Sequence, residues 1–235
     1  MHELNQHKIA ALLPQRRAQS NKGSYGSVAA AAGSLAYLGA AALSVEGALR
    51  TGAGLVYLAS VEPVIQLVLT RTPECCALPC RTDADGGILA ADAAAVRQRF
   101  TEKPAVLLAG PGLGPSAARI LNALLTADAK WKAAVLDADA LNALAAGELG
   151  QFPLLPTNTV LTPHPGEAAR LLGCSVAQIQ TDRPAAAQEL AERYGCVAVL
   201  KGSGTLIAAP GREMLHNPTG NPGLARGGSG DVLAG

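Results

Sequence analysis

The chain reads as an α/β protein, doubly wound around a mostly parallel central sheet with helices on both faces, and three observations carry that reading. Short apolar runs bounded by Gly or Pro alternate with Ala-rich stretches of helical period along the 235 residues. The ends of those runs open into glycine loops followed by helices, the strand–loop–helix unit of such sheets. Hydrophobic residues make up 49% of the chain, enough to bury one large core, so a single domain over residues 1–235 is expected.

Met1 to Gln19 is polar and helix-prone and has neither the apolar segment of a signal peptide nor a spanning helix, so a cytoplasmic location without membrane contact is expected. Asn21 to Gly26 is a turn with one cation, and Ser27 to Ala32 is either a short strand or the start of a helix. From Tyr37 to Arg50 a helical period sets Leu38, Ala42, Val45 and Leu49 near one face, ended by Gly52 and Gly54. Leu55 to Ala59 follows as a strand, and Glu62 to Thr70 as a helix with Pro63 in its first turn. The alternation resumes at Pro104 to Ala109, a buried parallel strand, then the loop Gly110 to Ser116 and a helix over Ala117 to Thr126. Ala133 to Leu136 is the next strand, closed by Asp137-Ala138-Asp139 and a helix from Ala140.

Thr159 to Leu161 runs into Thr162-Pro163-His164-Pro165-Gly166-Glu167 and a short helix to Leu172. Pro184 to Tyr194 is helical, and the strand Cys196 to Leu200 delivers Lys201-Gly202-Ser203-Gly204-Thr205. Leu206 to Ala209 and Glu213 to His216 flank Pro210-Gly211 as a hairpin. In a doubly wound sheet all these strand-end loops share one edge.

Composition excludes some partners. A net charge of +1 with no run of Lys and Arg offers nothing to nucleic acid or an anionic membrane, and 3% aromatic content leaves few platforms for stacked bases. The 5 cysteines, an odd number in a chain long enough not to need disulfides, read as free thiols. The cluster Cys75, Cys76, Cys80 lacks the second ligand pair that a zinc site requires.

The stretch Asn217 to Gly235 gathers the densest glycines and follows them with Asp231 and the apolar run Val232 to Ala234. Gly227, Gly228 and Gly230 allow several N–H groups to converge before a helix N-terminus, which makes a phosphate cradle with a carboxylate beside it. The same residues also fit a helix merely capped by Ser229 or Asp231. Asp231 can accept a proton from a bound hydroxyl, and the glycine N–H groups would stabilise charge on a phosphoryl group in transit. Asp137 fits a Mg²⁺ held through water, while Asp139 reads as the cap of its helix. His164 is held stiffly between prolines, Glu167 suits the first turn of its helix, and Lys201 supplies a cation at a strand end where many lysines are simply solvated. Gly110-Pro111-Gly112-Leu113-Gly114 lacks the final spacing of a dinucleotide fingerprint and reads either as a loop that lets a ligand approach the backbone at a strand's carboxyl end or as a plain strand-to-helix turn.

Taken in order, Lys22-Gly23-Ser24-Tyr25-Gly26, Gly39-Ala40-Ala41, Ala48 to Val56, Gly110 to Gly114, Asp137 to Asn142, Thr162 to Glu167, Leu200-Lys201-Gly202 and Asn221 to Asp231 resemble the ADP- or ATP-dependent NAD(P)H-hydrate dehydratases of the ribokinase-like superfamily. The resemblance implies a ribokinase-like fold and the repair of hydrated NADH and NADPH. The S epimer would be dehydrated at the expense of ADP, or ATP, with Mg²⁺, releasing AMP and phosphate in the ADP-dependent case. Carried over by motif, Ala40, Gly112, Gly114, His164 and Asp231 would contact the hydrate. Lys201, Gly202, Ser203, Gly204, Thr205, Gly228 and Gly230 would contact the adenine nucleotide, and Asp231 would be the base.

The resemblance further implies a homo-oligomer, a tetramer, working with a separate hydrate epimerase. Many relatives carry the epimerase fused in front, whereas a short segment precedes Lys22, so no epimerase activity is expected. The family pattern continues past Gly235, so the domain is expected to lack its C-terminal end. Two other readings fit the residues themselves: a small-molecule kinase that phosphorylates a vitamin-precursor alcohol and stops there, and a nucleotide-binding regulator without turnover.

Overall fold

The computed structural model describes residues 1–149 and 155–235. In chain order the first half comprises β1 (His2–Glu3), α1 (Gln6–Leu12), β2 (Ser27–Ala31), α2 (Leu38–Arg50), β3 (Leu55–Val61), α3 (Glu62–Arg71), β4 (Cys76–Cys80), α4 (Ala90–Arg99), β5 (Val106–Ala109) and α5 (Ala117–Leu124). The second half comprises β6 (Ala133–Leu136), α6 (Asp139–Ala145), β7 (Thr159–Leu161), α7 (Pro165–Leu172), α8 (Val176–Thr181), α9 (Arg183–Tyr194), β8 (Val197–Leu200), β9 (Thr205–Ala208), β10 (Leu215–Asn217) and α10 (Ser229–Ala234).

All the described strands join one 10-stranded sheet in the order β1-β10-β9-β8-β7-β6-β5-β2-β3-β4. Every pairing from β4 through β8 is parallel, and the hairpin β9–β10 extends the sheet antiparallel beyond β8. The strand order reverses between β2 and β5, the switch point where such sheets open a crevice at their carboxyl ends. Ser27 to Ala31 is a strand rather than a helix because it lies between β3 and β5 and is buried on both faces. Ala29 and Ala31 face one core, Ala30 and Ala32 the other.

Helices cover both faces as expected. One core packs α4 through α9 against the sheet, and the other packs α2, α3 and α10. The predicted face of α2 shifts: Ala41, Ala42, Ser44, Val45, Gly47 and Ala48 are buried, while Leu38 and Leu49 are only partly so. The reason is that α2 meets α10 as well as the sheet. A Cβ on Gly47 would run into the Val232 carbonyl, and one on Gly235 would overlap that of Ser44, so two backbones touch where side chains would hold them apart.

Several elements differ from the sequence reading. The N-terminal segment contributes β1 as well as a helix, His2 and Glu3 pairing with Leu215 and His216. The Cys75 to Cys80 cluster is largely β4, an edge strand that tolerates Pro79 because it has a partner on one side. Burial pushes the Cys75 and Cys80 thiols up to about 11 and the Cys196 thiol to about 12, with the neighbouring Cys76 and Asp92 adding at the first two. Helix α4 hides in composition, since Ala93 and Val96 alone are buried on it, and α8 is too short to show a period. No helix among the described residues is long and apolar enough to cross a membrane.

Candidate active site

The loops after β2, β5, β6, β7 and β8 all lie on the carboxyl edge of the sheet. At the switch point two of them interlock: the Gly33 N–H donates to the Pro111 carbonyl at 2.8 Å, and the Gly110 N–H reaches the Ala31 carbonyl at 3.4 Å. Gly112 is left-handed (φ +65°), and a Cβ there would stand 2.8 Å from the Tyr37 Cβ and 2.9 Å from the Ala40 Cβ. Two of the residues assigned to one ligand, Ala40 and Gly112, are therefore neighbours. The Gly114 N–H donates to the Asp139 Oδ2 at 2.8 Å. Asp139 does not cap its helix. The cap position belongs to Ala138, with φ 50° and no side-chain hydrogen bond, and the Asp139 carboxylate ties down the glycine loop instead.

The loops after β6, β7 and β8 meet in a buried charge cluster. Asp137 Oδ1 accepts from the Lys201 Nζ and from the Thr162 hydroxyl, each at 2.7 Å. The Lys201 ammonium also lies 3.7 Å from the Glu167 Oε2, and its side chain is 17% exposed. Lys201 is thus not a solvated strand-end lysine but a cation shared by two buried carboxylates, the arrangement that makes burying all three tolerable. Glu167 extends the cluster: its Oε2 accepts the His164 N–H at 2.8 Å. His164 is the N-cap of α7, its Nδ1 accepting from the N–H groups of Gly166 (2.9 Å) and Glu167 (3.3 Å), so a neutral ring carries its proton on Nε2. Half of that side chain is exposed. The prolines and the capping box hold the ring at the rim.

Beyond β8 the turn Gly202 to Thr205 is held from below by Arg183, which sequence reasoning missed. Its Nη2 donates to the carbonyls of Leu200 (3.2 Å), Lys201 (3.3 Å) and Gly204 (3.5 Å). The available signal was an arginine in the first turn of α9, where the helix dipole disfavours a cation unless it has another task. The Thr205 hydroxyl donates to the Gly202 carbonyl at 3.0 Å, and Ser203 is exposed at the tip. Thr162, also missed, orients Asp137.

Across this edge lies the start of α10. Its cap is Gly228, left-handed at φ 91°, so neither Ser229 nor Asp231 caps the helix, and no side chain does so among the described residues. The N–H groups of the first turn remain available to an acceptor. Gly230 faces the charge cluster: a Cβ there would lie 3.5 Å from the Lys201 Nζ and 3.7 Å from the Asp137 Oδ2, ordinary contact distances. Asp231 stands beside it. Burial first, then the Asp137 charge, raise the pKa of its carboxyl above 3.8, Lys201 pulling it back and Asp139 adding to the rise. The helix dipole alone would have predicted the opposite direction.

A Mg²⁺ fits this edge in one way. No group of three or more His, Cys, Asp or Glu side chains among the described residues could enclose a metal ion. Mg²⁺, however, commonly keeps its waters and is bound through one or two carboxylates together with substrate phosphates. Asp137 Oδ2 accepts no hydrogen bond among the described residues and faces the first turn of α10, which suits a contact through water. An open groove of about 570 Å³ lies elsewhere, at the far edge by β4 between Glu62, Arg81 and Asp92, and none of the site residues lines it.

Topology and site together define a ribokinase-like α/β protein, with a glycine loop at the switch point and a carboxylate at the start of a helix over the strand ends. A family model described as NAD(P)H-hydrate dehydratase matches residues 28–235, and the chain belongs to that family. It is 41% identical over 229 residues to the bifunctional NAD(P)H-hydrate repair enzyme Nnr of Coxiella burnetii, covering 97% of this chain and 43% of that one. To the ADP-dependent (S)-NAD(P)H-hydrate dehydratase of Neisseria meningitidis it is 39% identical over 222 residues, covering 94% and 70%. The crystal structure of the ADP/ATP-dependent NAD(P)H-hydrate dehydratase of Bacillus subtilis, co-crystallized with ATP/Mg²⁺, superposes with a TM-score of 0.81 at 36% identity, covering 98% of this chain and 77% of that one. The chain spans less than half the length of the first bifunctional relatives it matches.

Proposed function

We propose that this chain dehydrates the S epimer of hydrated NADH and NADPH, consuming ADP and releasing AMP and phosphate. The observation that carries the reading is the pairing of a first helical turn that starts after the Gly228 cap and has no side-chain cap with a carboxylate whose proton affinity is raised, Asp231, over the Asp137–Lys201 ion pair. Asp231 takes the proton from the ring hydroxyl as that oxygen attacks the terminal phosphate of ADP. The first-turn N–H groups hold the phosphoryl oxygens during transfer. The poor leaving group has then become phosphate, and its loss together with a ring proton, assisted by the ring nitrogen, restores the dihydronicotinamide without hydride transfer.

Ala40, Gly112, Gly114 and His164 form the hydrate side of the site in this reading, and Lys201 to Thr205 with Gly228 and Gly230 the nucleotide side. Mg²⁺ would be held through water by Asp137 and would neutralise phosphate charge. The use of an adenine nucleotide with Mg²⁺ is supported by the Bacillus subtilis enzyme's description as ADP/ATP-dependent and co-crystallized with ATP/Mg²⁺. Residues 1–235 act as one domain, in a cytoplasmic homotetramer, on S hydrate supplied by an epimerase acting on the R form.

Incubating the protein with S hydrate, ADP and Mg²⁺ and following dihydronicotinamide absorbance tests the proposal. Recovery of absorbance with one AMP and one phosphate per NADH is expected. A phosphorylated alcohol that accumulates without recovery would identify a kinase, and nucleotide binding with no product would identify a regulator.

A further inference from the structure

We infer that Tyr37 is the stacking face for the adenine ring of the hydrated dinucleotide, a specificity-determining residue for the reaction proposed above. The inference begins with an accounting of aromatic side chains. Tyr57 meets Phe100 edge to face, Phe100 packs at a tilt against Trp131, and the Trp131 Nε1 donates to the Leu124 carbonyl. Tyr25 lies under the Arg16 guanidinium and shares a hydrogen bond with Ser20, and the Tyr194 hydroxyl donates to the Leu171 carbonyl. Among the described residues Tyr37 is the aromatic with neither a ring partner nor a hydroxyl partner, and it is 56% exposed.

Its backbone, by contrast, is fixed. Tyr37 is the N-cap of α2, its N–H donates to the Ser34 carbonyl at 3.0 Å, and Gly112 lacks a side chain at the place where one would strike the Tyr37 Cβ and carbonyl. Leu35, two residues earlier in the same loop and 49% exposed, lies over Gly86. A rigid base and an exposed ring make a ready platform whose ordering cost on binding is small.

Position selects the ring it takes. Leu43, on the same helix, touches the place where a Gly228 Cβ would lie, so the phosphate cradle sits six residues along α2 from Tyr37, about 9 Å at 1.5 Å per residue. The reacting ring belongs at the cradle, beside Asp231. It is also hydrated and therefore puckered, a poor stacking partner. Adenine is the planar ring of the substrate, and its half of the molecule extends away from the reacting atoms toward the rim that Tyr37 occupies.

The test compares S-hydrated NADH with S-hydrated reduced nicotinamide mononucleotide, which lacks the adenylate half, in the wild type, Tyr37→Ala and Tyr37→Phe. Base–aromatic stacking lost to alanine corresponds to about a tenfold to hundredfold loss of affinity. Tyr37→Ala should raise KM for the dinucleotide hydrate by that factor, leave kcat near wild type, and leave KM for the truncated hydrate unchanged, while Tyr37→Phe restores the wild-type KM. Calorimetry with NADH reads the same contact without turnover, so an inactive wild type that still binds NADH through Tyr37 would overturn the dehydratase reading alone. An equal KM rise for both substrates, no change for either, a weakened affinity for ADP, or NADH affinity unaltered in Tyr37→Ala would each overturn the stacking assignment.

Discussion

Two glycine loops in this chain look alike in sequence and differ in what their glycines do. At Gly110 and Gly112 the glycines answer to packing. A Cβ on Gly110 (φ +127°) would overlap the Asp137 carbonyl, one on Gly112 would strike Tyr37 and Ala40, and the Gly114 N–H is already committed to Asp139. At Gly227 and Gly230 there is more room, whereas a Cβ on Gly228 would stand 2.6 Å from the Leu43 Cδ1. A Cβ on Gly227 would meet nothing within 4 Å, one on Gly230 would make ordinary contacts, and the first-turn N–H groups that follow Gly228 have no side-chain cap. In the first loop two strand ends lock together, and in the second the first-turn N–H groups stay open to an acceptor. Glycine density alone does not separate a joint from a site; the space around each Cα does.

The largest expected effect is at the second loop. Asp231→Asn should lower turnover by about 10²- to 10⁴-fold while leaving ADP affinity, read by calorimetry, within a factor of two or so. The wild-type rate should rise with pH through an apparent pKa above the ordinary carboxylate value, because burial and Asp137 raise it and the base acts ionised. The stability sign is the reverse. A raised folded pKa favours the folded state at low pH and costs stability as pH rises through it, so the Asn variant should be no less stable than wild type at neutral pH. Loss of stability in that variant would mean that Asp231 is a structural residue.

Next comes Gly110→Ala, which must displace backbone as well as adopt a strained φ. A loss of about 3–5 kcal/mol in urea unfolding is expected, with activity falling because less protein is folded. Gly230→Ala is its counterpart and the smallest effect on the fold. With space for the methyl group and a helical position, it should leave the melting temperature unchanged or raise it by about 2–4 °C, yet weaken ADP binding. If Gly230→Ala unfolds the protein, or Gly110→Ala does not, the contrast between joint and site fails.

Much of this was legible beforehand because the strands are short, apolar and bounded by Gly or Pro, so β6 and β7 were placed to the residue. Elements without such marks were missed. Edge strand β4 carries Pro79, and α4 buries little besides Ala93 and Val96. In the site, Asp231, Lys201 and Asp137 stood out as charges at strand or helix ends. Arg183 did not, since its partners are carbonyls from a turn about twenty residues downstream. Asp139 was misread for a related reason: a carboxylate at the first turn of a helix suits local capping, and only the approach of the Gly114 N–H from another loop redirects it.

The sequence by itself determined the alternation of strands and helices, the glycine-rich ends, and the ordered motifs that tie the chain to its family, because these depend on local backbone preference and on the period of apolar residues. Tertiary structure decided the rest. Whether Lys201 is solvated or shared between Asp137 and Glu167, whether Asp231 holds its proton loosely or tightly, and whether a glycine is a joint or an opening all depend on what neighbouring chain segments remove from water. Burial and electric fields are sums over residues distant in sequence, and no local pattern contains them.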